Sequence, residues 1–276
     1  MARRIHIHRG PAPTGAVAQD APVLVFLHGW TMTGAIFDGA FAALPGHQCL
    51  APDLPGHGGT SGYSITIAGA AQMLGDLLAQ EAPGGGAVLV GWSLGALVGW
   101  AHLAQAGGAG IAGMVSLDMS PRPLPAPGWD LGLCGQSAEQ ARAKAQWFRN
   151  DWPRAARAIA QTMFSGADGA PGLSVAEAHA RILRQPPDVM AMMWESLVEC
   201  DLRAAIAALP VPLLAIHGQE SRVYPPQTAH WLANTAPCAR ALVLPRAGHA
   251  PILEQPAACL AAIARFAAAP RTETAT

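Results

Sequence analysis

Apolar positions in this chain fall into short continuous runs bounded by Gly and Pro, and these runs alternate with longer segments of helical character. Such runs are typical of strands buried on both faces, as in a parallel sheet with crossover helices. The pattern predicts strands at Arg3–His8, Val23–Leu27, Gln48–Ala51, Ala87–Val90, Gly113–Leu117, Leu213–His217 and Arg240–Leu244. It predicts crossover or closing helices at Ile65–Ala82, Ser93–Gln105, Pro225–Asn234 and Ile252–Ala268. We therefore expect an α/β fold with a mostly parallel sheet flanked by helices.

The strand pattern stops between residues 119 and 209, where the sequence predicts only helices. These helices are expected around Ala138–Arg149, Pro153–Phe164, Ser174–Leu183 and Asp188–Ala208. A helical segment inserted between two strands in this way is typical of a lid. We therefore expect a core of residues 1–118 and 210–276, and an inserted helical lid, or cap, of residues 119–209.

Large apolar side chains are concentrated in the expected lid, and such side chains commonly line pockets for apolar ligands. They are Trp129, Trp147, Trp152, Trp194, Met163, Met190, Met192 and Met193. We assign Trp129, Trp147 and Met163, together with Trp92 of the core, to a substrate pocket. The alternative is that these residues only pack the lid onto the core, which is the usual fate of buried apolar side chains.

The composition favours one large core and a small neutral substrate. The 276 residues are 51% hydrophobic, and the formal net charge is −1. Without a block of like charge, the chain offers neither a nucleic-acid groove nor a basic surface directed at a membrane. The five cysteines are scattered without metal-ligand spacing, which favours free thiols in a reducing compartment, most simply the cytoplasm.

Two stretches of the chain share some features with targeting or membrane segments but lack the decisive ones. Residues 1–10 carry arginines but are followed by Pro and Gly instead of the apolar run of a secretory signal. Residues 87–105 are apolar, yet Gly91, Ser93 and Gly95 interrupt them at a predicted strand-to-helix turn. We therefore expect residues 87–105 to form buried core.

Residues 91–95, with the sequence Gly-Trp-Ser-Leu-Gly, carry the most specific motif of the chain. They follow a predicted strand and precede a predicted helix, which is the context of a G-x-S-x-G nucleophile elbow. In such a turn the serine has a strained backbone and an exposed hydroxyl, and the two glycines allow close packing. Ser93 is therefore the candidate nucleophile.

The base and the oxyanion donors are expected at neighbouring loops of the same sheet edge. His249 lies between the last predicted strand and the closing helix, and it alone of the ten histidines combines this position with the chain order Ser, acid, His. Two backbone N–H groups, those of Trp30 and Leu94, are the candidate oxyanion donors, because Trp30 follows a strand and Leu94 follows the nucleophile.

Four further histidines are not expected to take part in the chemistry. His28 is expected to be structural, hydrogen-bonded beneath its loop, and His57 is expected to be part of the loop structure. His6 and His8 alternate on the first strand and are expected to face solvent, although a two-residue spacing also fits a metal pair.

The motifs at residues 28–30, 53–58, 91–95 and 248–251 together resemble the α/β-hydrolase superfamily over nearly the whole chain. Within it, residues 28–30 and 91–95 are similar to the pimeloyl-carrier-protein methyl ester esterases of biotin synthesis, and more loosely to many small carboxylesterases. The resemblance implies a sheet of about eight strands with the lid after the sixth. It also implies acyl transfer through a serine, with no metal and no organic cofactor.

The catalytic acid departs from the family pattern. The position at which most members carry this acid, after the strand Leu213–His217, is Ser221 here, and the nearest carboxylate, Glu220, lies one residue early. A second position used in the family, after the preceding strand, is Asp118. We favour Asp118 over Glu220, because Asp118 ends its strand at the sheet edge where His249 is expected.

The expected function is therefore serine-dependent hydrolysis of small or medium apolar acyl esters, with Ser93, His249 and Asp118 as the catalytic residues. A sharper alternative is hydrolysis of an ester on an acyl carrier protein, for which the lid offers a basic face formed by Arg142, Lys144, Arg149, Arg154 and Arg157. An ordinary solvated helix face accounts for the same charges. Lactone opening, C–C bond hydrolysis and perhydrolysis stay open on the same frame. A ligand-binding receptor without turnover is the alternative from another class.

Overall fold

A computed structural model describes residues 2–13 and 21–269 of the chain. Its strands are β1 (Ile7–Arg9), β2 (Leu24–Leu27), β3 (Cys49–Pro52), β4 (Ala87–Trp92), β5 (Ile111–Leu117), β6 (Gly169–Ala170), β7 (Leu173–Ser174), β8 (Leu213–Gly218) and β9 (Ala239–Leu244). Within the described residues, seven of them form one sheet in the order β1-β3-β2-β4-β5-β8-β9, and β6 pairs with β7 in a separate hairpin. Only β1 runs antiparallel to its neighbour in the large sheet.

The central strand β4 explains why the sheet is parallel and buried. All six of its residues are buried, and Val90 pairs with Phe26 of β2 on one side and with Val115 of β5 on the other. A strand covered on both faces needs a continuous apolar run, which residues 87–92 supply. The carboxyl ends of β2, β4, β5 and β8 therefore meet at one edge of the sheet.

Helices on both faces of the sheet connect these strands. They are a 3₁₀ helix (Gly34–Phe37), α1 (Asp38–Phe41), α2 (Ile67–Glu81), α3 (Leu94–Ala106), α4 (Ala138–Asn150), α5 (Trp152–Met163), α6 (Val175–Leu183), α7 (Pro187–Val198), α8 (Arg203–Ala207), α9 (Gln227–Thr235), α10 (Pro251–Glu254) and α11 (Pro256–Ala267). Side chains cap several of their first turns: Thr66 accepts from Gly69 N at α2, and Ser137 forms a capping box with Gln140 at α4.

The helical segment, residues 119–209, contains α4 to α8 and lies between β5 and β8. Helix α4 packs against α7, and α5 packs against α6. The Trp30 side chain connects this segment to the core: its Nε1 donates to Met190 O at 3.1 Å, and its ring lies 5.0 Å from the rings of both Phe148 and Trp194. Aromatic contacts of this kind add to the free energy gained from burial.

The structure confirms the predicted α/β-hydrolase fold and corrects two of its details. The sheet has seven strands in the described residues instead of about eight, and the helical segment follows the fifth strand instead of the sixth. The first predicted strand, Arg3–His8, is shorter than expected, because Arg4 makes only an isolated bridge with Ser61. The expected eight strands came from the resemblance, whereas the apolar runs themselves numbered seven.

Two predicted helices are divided in the structure. The closing helix breaks at Gln255, which has φ −130° and ψ 57°, because the residue before a proline disfavours helical geometry and Pro256 follows. The helix predicted at Asp188–Ala208 ends at Val198 and resumes as α8. The short β6–β7 hairpin was not predicted, because strands of two residues are too short to show an apolar pattern in the sequence.

Residues 87–105 form β4 and most of α3, and both are buried in the core as expected. No helix in the described part of the chain has the length and apolar character that a membrane crossing requires.

Candidate active site

Ser93 occupies the sharp turn between β4 and α3. Its φ of 51° and ψ of −113° place a non-glycine residue in a strained region of backbone conformation. A side chain at Gly95 would collide with Leu27 O, and one at Gly91 would collide with the backbone of Ala96. The two glycines therefore let the turn pass between strand and helix and present the serine hydroxyl at the sheet edge.

His249 reaches Ser93 from the loop between β9 and α10. Its Nε2 lies 2.9 Å from Ser93 Oγ, and its Nδ1 lies 2.7 Å from Asp118 Oδ1. The indole Nε1 of Trp92 donates to the His249 carbonyl at 2.6 Å and holds this loop against the turn. The three predicted side chains thus form one continuous hydrogen-bonded chain, although 156 residues separate the serine from the histidine.

Asp118 follows β5 directly and is fully buried, with a positive φ of 47°. Its Oδ2 accepts from Gly218 N at 3.0 Å, and its Oδ1 accepts from Ser221 Oγ at 2.7 Å as well as facing His249. The competing acid, Glu220, is exposed; its backbone N–H donates to Ala247 O, and its side chain forms no hydrogen bond within the described ranges.

A second histidine, His217, lies at the end of β8 beneath Asp118, with its Nδ1 3.8 Å from Asp118 Oδ2. Burial lowers the pKa of His217, so its ring is neutral near pH 7. The Asp118 carboxylate therefore meets one partner that can become charged during a reaction, the imidazole of His249.

The backbone N–H groups of the two predicted oxyanion donors lie at element ends near Ser93. Leu94 is the first residue of α3, and Trp30 follows β2 and Gly29. Among the described residues neither backbone N–H takes part in a hydrogen bond. Unpaired amides at a helix N-terminus and a strand end are ready to receive a developing negative charge.

His28 and His57 fix the loop that carries Trp30, as the sequence suggested. His28 accepts from Leu54 N at 2.9 Å and donates to Gly29 O at 2.8 Å, and His57 accepts from Thr31 N at 3.2 Å. Complete burial lowers the pKa of His28 to about 4 and that of His57 to about 3. Both rings are therefore neutral, which is the state that these accepting nitrogens require.

A cavity between the sheet edge and the helical segment opens onto Ser93 and His249. Three of the four predicted pocket residues, Trp92, Trp147 and Met163, line it. The prediction for Trp129 is wrong: its ring packs edge-on against Trp231 at 5.0 Å, and its Nε1 donates to Arg122 O. Trp129 lies in the segment between β5 and α4. This segment places its ring against α9, away from the cavity.

Sequence reasoning missed several residues of the cavity wall. These residues are Thr31, Leu133, Gln136, Phe148, Thr162, Arg222, Val223 and Tyr224. They come from loops and from helix faces that carry no motif. The helical pattern of α4 and α5 identifies their buried faces, yet it does not show which buried residue borders an open space.

The predicted basic face is divided between three environments. Arg142 pairs with Glu199 and Arg149 pairs with Glu195, each through two hydrogen bonds. Lys144 is partly buried and lines the cavity. Arg154 and Arg157 are exposed on α5, and among the described residues they form no ion pair. Of the five basic residues on this face, Arg154 and Arg157 therefore carry the exposed charge that has no carboxylate partner in the described residues.

His6, His8 and Asp53 form the one group in the described residues with the composition of a metal site, because their ligand atoms all lie within 4.8 Å of one another. The histidines are partly buried against this carboxylate and do not simply face solvent. Asp53 already accepts from His6 Nδ1, Gly34 N and Gly59 N. These hydrogen bonds tie the first strand and the 3₁₀ helix to the loop after β3.

Comparison with known proteins agrees with this fold and site. The chain matches the Alpha/beta hydrolase family over residues 24–262 and belongs to that family. It is 32% identical over 248 residues to a pimeloyl-[acyl-carrier protein] methyl ester esterase from Aromatoleum aromaticum, covering 87% of this chain and 96% of the relative. It is 31% identical over 261 residues to a protein of the same name from Xanthomonas oryzae pv. oryzae, covering 91% and 97%.

Among solved structures, an esterase from Exiguobacterium antarcticum superposes with a TM-score of 0.85 at 16% identity, covering 97% of this chain and 96% of the other. At this identity the likeness shows the fold. Together with the sequence relatives, these relationships confirm the expected enzyme class, a carboxylic ester hydrolase.

Proposed function

We propose that the protein hydrolyses its ester through an acyl-enzyme, with Ser93 as nucleophile, His249 as general base and Asp118 as the acid that orients the imidazole. The observation that carries this proposal is the unbroken hydrogen-bonded chain from Ser93 Oγ through both nitrogens of His249 to Asp118 Oδ1. Such a chain activates a hydroxyl that is a weak nucleophile by itself.

The proposed reaction has two halves. His249 Nε2 takes the Ser93 proton as Oγ attacks the ester carbonyl, and the protonated imidazole then returns that proton to the departing alcohol. Water then gives a proton to the same nitrogen as it attacks the acyl-enzyme, and the imidazolium passes that proton to Ser93 Oγ as the bond to the acyl group breaks and the acid leaves. Asp118 holds Nδ1 protonated throughout and stabilises the imidazolium.

The N–H groups of Trp30 and Leu94 are proposed to bind the carbonyl oxygen when it becomes negative. Two such donors act more strongly on the tetrahedral intermediate than on the planar ester, so they lower the barrier. Loss of one donor typically costs ~3 kcal/mol of transition-state stabilisation.

The helical segment, residues 119–209, is proposed to act as a lid over the acyl site. It supplies Trp147, Phe148, Met163 and Trp194 to the cavity that contains Ser93. These apolar walls favour an acyl chain of small to medium length and limit access of water to the acyl-enzyme.

Labelling with a fluorophosphonate tests the mechanism directly. The reagent is expected to add one phosphonyl group at Ser93 and to abolish hydrolysis of short p-nitrophenyl esters. Ser93→Ala removes the adduct, whereas Ser116→Ala serves as control, because Ser116 is buried on β5 without a hydrogen-bond partner in the described residues. Absence of an adduct on the folded protein would reject the enzyme mechanism and favour a binding protein.

A carrier-linked methyl ester is the second candidate substrate, and specifically pimeloyl-[acyl-carrier protein] methyl ester. Two observations favour it: relatives of similar length bear that name, and Arg154 with Arg157 leaves exposed positive charge on α5. An acyl carrier protein is acidic, so this face would attract it.

All five cysteines lie within the described ranges and are unpaired. Free thiols support a reducing compartment, and we propose the cytoplasm.

Charge reversal at Arg154 and Arg157 tests the carrier protein as partner. The double change to Glu is expected to lower kcat/KM for a carrier-linked ester at least tenfold and to leave a free p-nitrophenyl ester unchanged. Arg240→Glu is the matched control, because Arg240 is exposed on β9 of the core. Equal losses on both substrates, or no loss on either, would remove the carrier protein from the proposal.

A further inference from the structure

We propose that Lys144 forms an anion-binding subsite inside the acyl cavity, so that preferred substrates carry an anionic oxygen group on the acyl side, beyond the ester that is cleaved. The group is a carboxylate or a phosphodiester. This inference rests on the proposed function and specifies the substrate class of the same site.

The position of Lys144 is the first observation. Helix α4 (Ala138–Asn150) brings its side chain to the wall of the cavity that also contains Ser93 and His249. The rest of that wall is mainly apolar and includes Trp147, Phe148 and other large side chains. An ammonium group in such a wall contributes little to packing. It carries three N–H donors and a positive charge, so it is suited to bind an anion.

The missing counter-charge is the second observation. The neighbouring cations of α4, Arg142 and Arg149, pair with Glu199 and Glu195. Among the described residues Lys144 has no carboxylate within 4.0 Å and donates no hydrogen bond. The two arginines thus have carboxylate partners, whereas the lysine that lines the cavity has none in the part of the chain that the structure describes.

The surroundings of Lys144 make an anion favourable there. Its Nζ lies 5.8 Å from the centroid of the Trp194 ring, which holds the ammonium by a cation–π contact. Burial lowers the pKa of Lys144, because the charged form has lost hydration. An anionic substrate group restores the lost interaction, and in a partly desolvated site this attraction is stronger than in water.

Arg222, the other cation of the cavity wall, is a weaker candidate. Its Nη2 donates to Gln161 O at 2.6 Å and also to Phe164 O, so it secures the end of α5 to the loop after β8. Lys144 keeps its three donors for a ligand.

Matched pairs of esters test this subsite. Monomethyl esters of straight-chain dicarboxylic acids carry a distal carboxylate, and the dimethyl esters of the same acids are neutral. Lys144→Met is expected to lower kcat/KM at least tenfold for the monomethyl esters, mainly through KM, and less than twofold for the dimethyl esters. Lys144→Arg should retain most of the preference, and Arg142→Met, on the same helix, should change neither substrate.

A third substrate separates the two sources of charge. The methyl ester of a dicarboxylic acid joined by a thioester to phosphopantetheine carries a phosphate and no free carboxylate. A loss with Lys144→Met on this substrate alone assigns the subsite to the phosphate, and a loss on the monomethyl esters alone assigns it to a carboxylate. Equal effects on charged and neutral esters, or no effect on any, would overturn the subsite.

Failure of the subsite differs from failure of the proposed function. If the wild-type protein hydrolyses the neutral dimethyl esters but Lys144→Met changes no preference, the serine mechanism stands and the subsite falls. If the wild-type protein hydrolyses none of these esters and takes no phosphonyl group at Ser93, the proposed function itself falls.

Discussion

The Ser221 hydroxyl donates a 2.7 Å hydrogen bond to Asp118 Oδ1, the oxygen that also faces His249. Ser221 stands where the resemblance places the acid of most family members. In this chain the residue at that position supports a carboxylate from the neighbouring strand. The proposed acid, Asp118, thus follows β5 (Ile111–Leu117), while the loop after β8 (Leu213–Gly218) contributes to the same hydrogen-bond network.

Exchange of the acid tests this arrangement. We predict that Asp118→Asn lowers kcat/KM for a p-nitrophenyl ester by roughly 10³–10⁴, because the imidazole loses the acceptor that fixes its tautomer. Glu220→Gln is the control and should retain wild-type activity, because Glu220 is exposed and the two ring nitrogens of His249 already face Asp118 and Ser93. A large loss in Glu220→Gln with an active Asp118→Asn would reverse the assignment.

The proposed acid should also work from position 221 in place of position 118. In the double variant Asp118→Asn with Ser221→Asp, we predict that activity rises at least tenfold above that of Asp118→Asn alone, because the side chains of residues 118 and 221 already meet. Steady-state kinetics on the same ester, with circular dichroism to verify folding, provides the measurement. A folded double variant no more active than Asp118→Asn would show that only β5 can supply the acid.

Close packing at the turn that carries Ser93 predicts a stability effect. Gly95→Ala should lower the free energy of unfolding by about 1–3 kcal/mol, since the new methyl group meets the Leu27 carbonyl, which is backbone and cannot turn away. Gly39→Ala is the matched control, because, apart from its chain neighbours and its own helix backbone, no described atom lies within 4 Å of the added carbon. Denaturant titrations of both variants make the comparison, and equal midpoints would contradict the packing argument.

Stability should fall in mild acid because of His57. Its pKa is about 3 in the folded protein, against 6.5 for the unperturbed side chain. The unfolded chain therefore binds a proton that the folded protein excludes, so the contribution is complete above pH 6.5 and is lost as the pH falls towards 3. At pH 5 the expected loss from this residue is about 2 kcal/mol.

Thermal unfolding at pH 7.5 and pH 5 measures this effect. His57→Gln keeps an acceptor for Thr31 N but cannot titrate, so its unfolding temperature should fall less between the two pH values than that of the wild type. His230→Gln is the control, since His230 is exposed. If all three proteins lose the same amount, the buried His57 is not the origin of the acid sensitivity.

Local sequence determined much of this protein, because its signals depend on neighbours along the chain. Runs such as residues 87–90 predict buried parallel strands, since only a strand covered on both faces tolerates an unbroken apolar stretch. The nucleophile turn is equally local: Gly91, Ser93 and Gly95 are needed wherever a strand passes sharply into a helix. His249 followed from chain order and from its loop position.

Only the tertiary structure decided which distant groups meet. The sequence could rank Asp118 above Glu220, but the hydrogen bond to His249 depends on how β5, β8 and the loop after β9 lie together. The same holds for the cavity: Trp129 and Trp147 have the same chemistry in the sequence, yet one packs against Trp231 and the other lines the pocket. Lys144 turns inward while Arg142 pairs outside. Burial and pairing of side chains arise from contacts between segments that are distant in the sequence. The identity and local neighbours of a single residue therefore do not determine them.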